Sequence, residues 1–240
     1  MKKPIPADFN KKVVSIFKNP PHDEQDLVRN FFHNKKAGFY VDVGANDPVI
    51  ESQTYHLEAM GWDGLLVEPL TEYCEKLKEK RKGRVIQLAC SAPENHNKVL
   101  RLLAAGGHST LNENPIALGT ESDQYVEVTC KTLDSILEEN HVKKGFDFIS
   151  IDIEGHEIEM FKGFSLRKWL PTLVLLEDHV TTHEKHHFMT SNGYQLIMRT
   201  GLNSWYVPQS LGYRLTFFAK LQFFRKYYLG LFPRKRKYKR

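Results

Sequence analysis

Residues 38–47 read GFYVDVGAND, and residues 64–69 read GLLVEP. Each stretch is a run of aromatic and branched residues, typical of a buried strand, that runs into acidic and turn residues. The strands themselves have no need of Asp42, of the Gly-Ala-Asn turn that follows it, or of Glu68. Ligands of open α/β sheets bind outside the carboxyl ends of the strands, so these residues indicate a binding site there.

Strand-like and helix-like segments alternate over most of the chain. Strands are predicted at Gly38–Val43, Gly64–Val67, Arg84–Ala89, Phe146–Ile151 and Leu173–Leu176, and helices at Glu51–Met60, Thr71–Lys82, Glu157–Lys162 and His183–Ser191. Two further segments, Tyr194–Arg199 and Ser204–Val207, are typical of a closing hairpin. The alternation predicts an α/β fold with a Rossmann-like, doubly wound and mainly parallel sheet that has helices on both faces.

Segments outside this alternation divide the chain into three parts. We predict N-terminal helices within residues 1–35, a central domain at residues 36–210 and a tail at residues 211–240. The helices are expected at Ala7–Lys18 and Asp23–Asn34, and an inserted strand pair at Asn97–Leu103 and Gln124–Val128. The loop GGHSTLNENPIALGT at residues 106–120 joins that pair and is long enough to close over a ligand, with His108 or Ser109 touching it. The alternative is a flexible connection between the two added strands.

The composition fits one α/β domain with appendages. The chain has 240 residues, and 41% of them are hydrophobic, which is enough for a full core without disulfides. Its three cysteines show no zinc-binding spacing, which favours reduced, buried thiols and a cytoplasmic location. We find no stretch of about 18 apolar residues that would span a membrane, and no apolar run typical of a cleaved signal after the amino terminus.

The tail differs in charge from the rest of the chain. Of the 34 Lys and Arg residues ten lie from Leu211 onward, where there is no acid, which leaves 24 against 29 acidic residues in residues 1–210. Large apolar residues recur there at helical spacing: Phe217, Phe218, Leu221, Phe224 and Tyr228. This pattern predicts peripheral docking on an anionic membrane surface, at the inner face of the cytoplasmic membrane. The alternative is a helix that packs on the domain; nucleic acid is not expected, because the acidic body offers no basic groove.

The two quoted stretches indicate a nucleoside ligand without phosphates. Glu68 lies where a carboxylate accepts hydrogen bonds from both ribose hydroxyls, and Gly44 and Asn46 form the first turn. The GxGxxG fingerprint of dinucleotide sites and the GxxxxGK[ST] phosphate loop are both absent. S-adenosylmethionine fits best, since it carries a ribose and its positive groups favour nearby carboxylates such as Asp42. The alternative is an ordinary strand-turn-helix in which Asp42 caps the helix.

Four motifs resemble, in order, the FkbM-type methyltransferase family: GFYVDVGANDPVIESQTYHLEAMGWDGLLVEP, GGHSTL, KTLDSIL and FDFISIDIEGHEIEMFKGF. The resemblance extends from about Gln25 to Val207. It implies an S-adenosylmethionine-dependent O-methyltransferase on a Rossmann-like sheet, with sugars of bacterial glycans, lipopolysaccharides or natural products as acceptors. It also places the adenine at Ala89 and Cys90, within QLACSAPE. Ser91 departs from the apolar residue expected there.

Methyl transfer to a sugar hydroxyl needs alignment and an acceptor for the hydroxyl proton. The motif IDIEGHE supplies candidates: we expect Asp152 near the amino group of the cofactor, and His156 or Glu154 at the acceptor as the base. The alternative makes Glu154 a residue favoured by the helix dipole and His156 a hydrogen-bonded structural side chain.

No metal ligand is assigned from the sequence. A cluster of Asp152, Glu154, Glu177, Asp178 and His179 is nevertheless an alternative site for Mg²⁺. The HEKHH run at residues 183–187 lacks the HExxH spacing, so we interpret it as a solvated helix face. Three functions stay open: methylation of a glycan sugar, methylation of a small natural product or lipid, and nucleoside binding without catalysis.

Overall fold

The computed structural model describes residues 24–50, 52–111, 124–215 and 217–229. Its main sheet has seven strands in the order β3-β2-β1-β7-β8-β10-β9. They are β1 (Phe39–Val43), β2 (Asp63–Val67), β3 (Arg84–Ile86), β7 (Phe148–Ile151), β8 (Leu173–Glu177), β9 (Tyr194–Thr200) and β10 (Asn203–Pro208). The first five in this order run parallel, and β10 is antiparallel to both of its neighbours, β8 and β9. The predicted Rossmann-like sheet is confirmed.

A second, three-stranded sheet is formed by β4 (Ala89–Cys90), β5 (Val99–Leu103) and β6 (Tyr125–Lys131). The antiparallel β5–β6 pair is the predicted insertion. The prediction of one strand at Arg84–Ala89 is wrong, because β3 ends at Ile86 and Ala89 pairs with Cys130 of β6 instead. The chain therefore leaves the main sheet where the adenine contacts were expected.

Eight α-helices are present in the described parts of the chain. They are α1 (Glu24–Phe31), α2 (Tyr55–Glu58), α3 (Thr71–Lys80), α4 (Leu133–Glu139), α5 (Glu157–Lys162), α6 (Leu166–Trp169), α7 (Glu184–Ser191) and α8 (Phe217–Phe223), which continues as a π-helical turn (Phe224–Leu229). The predicted helix at Glu51–Met60 is reduced to the single turn α2, and α4 and α6 were not predicted. The predicted helix at Ala7–Lys18 lies outside the described residues.

The strands bury both faces, as their continuous apolar runs require. Along β1, Tyr40 contributes to one core together with Phe148, whereas Val41 and Val43 contribute to the core on the opposite face. Asp42 is the polar exception on this buried strand. The alternation brings it to the face of Tyr40, where it needs a hydrogen-bond partner.

Gly44 ends β1 in a position that only glycine tolerates. Its φ is +82°, and a Cβ built on it would lie 1.8 Å from the backbone oxygen of Asp152, at the end of β7. The structure shows that the ends of β1 and β7 themselves come together here.

We expect Gly44→Ala to lower the free energy of unfolding about 1–3 kcal/mol more than Gly193→Ala does, since that is the usual cost of overpacking. Gly193 is a matched control, because its φ is +83° and a Cβ there would meet nothing within 4 Å. The strain of a positive φ is thus common to both variants. Urea denaturation measures the difference, and equal losses would contradict the steric interpretation.

Candidate active site

A cavity of about 560 Å³ opens at the carboxyl ends of the central strands. A volume of this order suits a small-molecule ligand. Every residue assigned to the site from the sequence lines it: Asp42, Gly44, Asn46, Glu68, Ala89, Cys90, Asp152, Glu154 and His156. The structure therefore brings together residues from four strand ends that are far apart in the chain.

Glu68 anchors one end of the cavity. Its carboxylate accepts backbone hydrogen bonds from Asn46 at 2.9 Å and from Leu70 at 2.9 Å. Burial raises the pKa of Glu68, while these two bonds act in the opposite direction. A carboxylate offers about four acceptor positions, so roughly two remain for ligand hydroxyls.

Two buried amide oxygens at the cavity wall lack a hydrogen-bond partner among the described residues. They are Oδ1 of Asn46 and Oε1 of Gln53. Buried polar atoms are nearly always hydrogen-bonded in native structures. These oxygens therefore indicate a ligand that donates N–H or O–H groups.

Asp42 belongs to a polar network that was not predicted. Its carboxylate accepts a hydrogen bond from the Thr54 hydroxyl at 2.6 Å, and Arg81 donates to the same hydroxyl at 2.7 Å. Arg81 also donates to Ser52 at 3.2 Å and forms a buried ion pair with Glu58 at 3.0 Å. Burial raises the pKa of Asp42 to about 6. Arg81 thus fixes the segment that carries Ser52 and Thr54 along the cavity.

The expected adenine end combines small buried residues with one polar contact. Ala89 and Cys90 line the cavity, and the Ser91 hydroxyl next to them lies 3.0 Å from Nε2 of His156. Asn95 donates to the same hydroxyl at 3.0 Å, so the Ser91 O–H is directed toward His156. Burial lowers the pKa of His156. The unexpected Ser91 is therefore explained as the partner of a neutral, buried imidazole.

Carboxylates dominate the other end of the cavity. Ile151 of β7 pairs with Leu176 of β8, so the next residues, Asp152 and Glu177, lie side by side. Removal from solvent raises the pKa of Asp152 well above its usual range, and the negative charges of Glu177 and Glu154 raise it further. Although burial acts in the opposite direction, the hydrogen bond and charge of His179 hold the pKa of Glu177 low.

Glu154 is held at the rim of this acidic end. Its backbone adopts a φ of +51°, and its backbone oxygen accepts a hydrogen bond from the Thr110 hydroxyl at 2.7 Å. One carboxylate oxygen lies 3.0 Å from Nδ1 of His108, whose side chain is 78% exposed. Burial raises the pKa of Glu154, and the charge of Glu177 adds to this effect. An exposed imidazole therefore connects this carboxylate to solvent.

Not all of the suggested acidic cluster reaches the cavity. Glu154, Glu177 and His179 have ligand atoms within 4.8 Å of one another and are able to hold a metal ion. The carboxylate of Asp178 is instead hydrogen-bonded by Tyr227 and lies 3.6 Å from Arg199, in the protein interior. Asp178 is thus excluded from a metal site.

One protein-family model matches most of the chain. The family model described as the methyltransferase FkbM domain matches residues 42–214. No match is found among curated proteins. Similar solved structures include the N-terminal domain of human METTL16 in complex with SAH, with a TM-score of 0.41 and 14% identity over 79% of this chain and 70% of that chain. A precorrin-6y C5,15-methyltransferase from Geobacter metallireducens GS-15 has a TM-score of 0.40 and 10% identity over 76% and 85% of the two chains.

Proposed function

The chain belongs to the FkbM methyltransferase family, and we propose that it transfers a methyl group from S-adenosylmethionine to a sugar hydroxyl of a cell-surface glycan or lipopolysaccharide. The observation that carries the proposal is the cavity, which has acceptors for a nucleoside at one end and a carboxylate cluster at the other. Both ends open into the same volume, as a reaction between two bound molecules requires.

The residues present fit the cofactor. Glu68 has acceptor positions left for the two ribose hydroxyls, and the unpartnered oxygens of Asn46 and Gln53 suit N–H or O–H donors. Asp152 is suited to the ammonium group of the methionine part, as is Asp42 on the neighbouring strand. When bound, the cofactor supplies a methyl group on a positively charged sulfur.

The acceptor hydroxyl has to lose its proton as its oxygen bonds to the methyl carbon. The electron pair of the breaking carbon–sulfur bond stays on sulfur, so no acid is needed for the leaving group. Of the two expected bases the geometry favours Glu154, because Nε2 of His156 is already bonded to Ser91. Glu154 accepts the proton, and His108 passes it to solvent. Ser91 and His156 fix the wall between the adenine and the acidic end.

A sugar is favoured over a flat or apolar acceptor. The acidic end presents the carboxylates of Asp152, Glu154 and Glu177 together with the imidazole of His108, and hydroxyl groups are donors to all of them. A small natural product with similar hydroxyls and a lipid-linked sugar remain second candidates. They share this recognition chemistry and differ only in what the sugar is attached to.

The decisive experiment is turnover. The purified full chain with S-adenosylmethionine and a cell-envelope extract should release S-adenosylhomocysteine, and mass spectrometry should find the new methyl on a sugar. Glu154→Gln should lower kcat by about 10²-fold or more, as loss of a general base does. Glu75→Gln, an exposed carboxylate on α3, serves as the control. Cofactor binding without turnover on any extract would support the non-catalytic alternative.

Glu68→Ala should weaken S-adenosylmethionine binding by about 1–3 kcal/mol, because hydrogen bonds to a charged group are lost. Glu72→Ala is the matched control, since this carboxylate lies on α3 and is paired only with the exposed Lys76 among the described residues. Isothermal titration calorimetry measures both affinities. An unaltered affinity of the Glu68→Ala variant would count against the nucleoside site.

We also propose that the protein docks on a membrane surface through the helix that follows the family domain. Phe223 and Tyr227 are buried against the core, so the segment packs on the domain by one face. Apolar side chains recur on the remaining surface with exposed fractions of 45–75%: Phe217, Leu221, Phe224, Tyr228 and Leu229. Ten Lys and Arg residues without any acid in residues 211–240 complement an anionic bilayer. No helix in the described residues is long and apolar enough to cross a membrane.

Leu221→Glu/Phe224→Glu should reduce binding to vesicles that contain phosphatidylglycerol by roughly tenfold or more, since apolar contacts are lost and negative charge is added. The variant keeps the buried Phe223 and Tyr227, so the fold should be retained. Val99→Glu/Val126→Glu is the control, because these valines are 56% and 38% exposed on the second sheet. Vesicle sedimentation at low and high salt measures binding. Equal sedimentation of both variants would reject the surface.

A further inference from the structure

Two carboxylates face each other at the ends of β7 and β8. Asp152 and Glu177 follow the paired residues Ile151 and Leu176, and each affects the ionisation of the other. Glu177 is 7% exposed, and its Oε2 has no hydrogen-bond donor among the described residues. A buried carboxylate oxygen beside a second carboxylate needs a proton or a cation to offset the repulsion.

The charge around this oxygen is predominantly negative. Glu154 adds a third carboxylate from the rim, whereas Glu157 of α5 is already paired with Lys185 of α7 at 2.7 Å. The same Lys185 donates to the backbone oxygen of Glu177 and not to its carboxylate. The hairpin β9–β10 contributes only Leu202 and Asn203 to the cavity wall. Against the effect of burial, the charges of His179 and Lys185 lower the pKa of Glu177, but no described side chain donates a hydrogen bond to its Oε2.

The ligand atoms for a metal ion are already close together. Glu154, Glu177 and His179 each offer one within 4.8 Å of the others, and His179 Nε2 lies 3.1 Å from Oε1 of Glu177. Small rotations of the half-buried Glu154 and His179 would bring all three around one ion. We propose that Glu154, Glu177 and His179 bind a single divalent cation of the Mn²⁺ or Mg²⁺ type at the acceptor end of the cavity.

The donor set decides the class of cation. Two carboxylates favour hard cations such as Mg²⁺ and Mn²⁺, and the single imidazole is better tolerated by Mn²⁺. Such ions take about six ligands, so roughly three positions stay open after the protein has supplied its own. Adjacent hydroxyls of a sugar are able to fill two of them.

The role of the ion rests on the proposed function. A hydroxyl bound to the cation loses its proton more readily, because the positive charge stabilises the alkoxide. Glu154 would bind the cation through one carboxylate oxygen and accept the proton on the other, from which His108, 3.0 Å away, passes it to solvent; the acceptor oxygen then bonds to the methyl carbon. The cation keeps its oxidation state, so no further reactant is needed.

Binding of the metal alone tests the site. Mn²⁺ is titrated into the ligand-free full chain and followed by electron paramagnetic resonance. The free-ion signal of one equivalent of Mn²⁺ per chain should disappear. Glu177→Gln and His179→Gln should each weaken this binding by at least tenfold. Glu75→Gln and His187→Gln, on exposed faces of α3 and α7, should leave it unchanged. Millimolar Mg²⁺ should release the bound Mn²⁺.

Each other outcome overturns the site. A free-ion signal that the wild-type chain does not reduce means that Asp152 and Glu177 share only a proton. Binding that survives both site variants places the ion elsewhere. Far-ultraviolet circular dichroism verifies the fold of the variants, and His179→Gln, at a half-buried position, is kept in case Glu177→Gln does not fold. S-adenosylmethionine binding is measured separately by calorimetry, so an intact cofactor site with no metal refutes the cation site alone.

Discussion

The contact between Gly44 and the backbone of Asp152 is the constraint on which the site depends. β1 and β7 are adjacent parallel strands at the point where the strand order reverses, so the chain leaves them toward opposite faces of the sheet. Because Gly44 has no side chain, the segments that follow β1 and β7 lie close together. Glu68 and Asn46 therefore lie on one side of the crevice and Glu154 on the other. The close packing of β1 against β7 therefore also brings the residues of the site together.

The sheet and the cavity wall could be predicted because their signals are local. A buried parallel strand is a continuous apolar run, and the polar residue that ends such a run lies at the edge where ligands bind. Asp42, Glu68 and Asp152 follow this rule, and all line the cavity. The end of the third strand was predicted wrongly, because Ala89 and Cys90 are apolar enough for a strand of either sheet. Only their pairing with β6 assigns them to the second sheet. The length of helix α2 was overestimated for a related reason, since residues that precede it are hydrogen-bonded to Arg81 instead.

The polar contacts behind the wall could not be predicted, because they join residues that are distant in the chain. Arg81 lies within KEKRKGR, where nothing in the spacing distinguishes one basic residue from the next. Only the fold shows that its side chain is fully buried against Glu58 and Thr54. Ser91 gave a partial signal as a departure from the expected apolar residue, but its partner His156 was visible only in three dimensions. Buried polar groups require hydrogen-bond partners, and the sequence alone does not identify which residues these are.

Strand β8 connects the acidic end of the cavity to helix α8 and the π-helical turn that continues it. Alternation along a strand sends Glu177 into the cavity and Asp178 to the opposite face. There the Tyr227 hydroxyl donates to Asp178, and Arg199 lies beside both. The HEKHH run also contacts this region, since His183 and His186 lie against Tyr227. The expected solvated helix face is therefore wrong: of the three imidazoles in the run only that of His187 is exposed. Tyr227, which lies outside the matched family domain, is thus the buried hydrogen-bond partner of Asp178. Because Asp178 directly follows Glu177, the packing of that helix and the position of Glu177 depend on the same stretch of backbone.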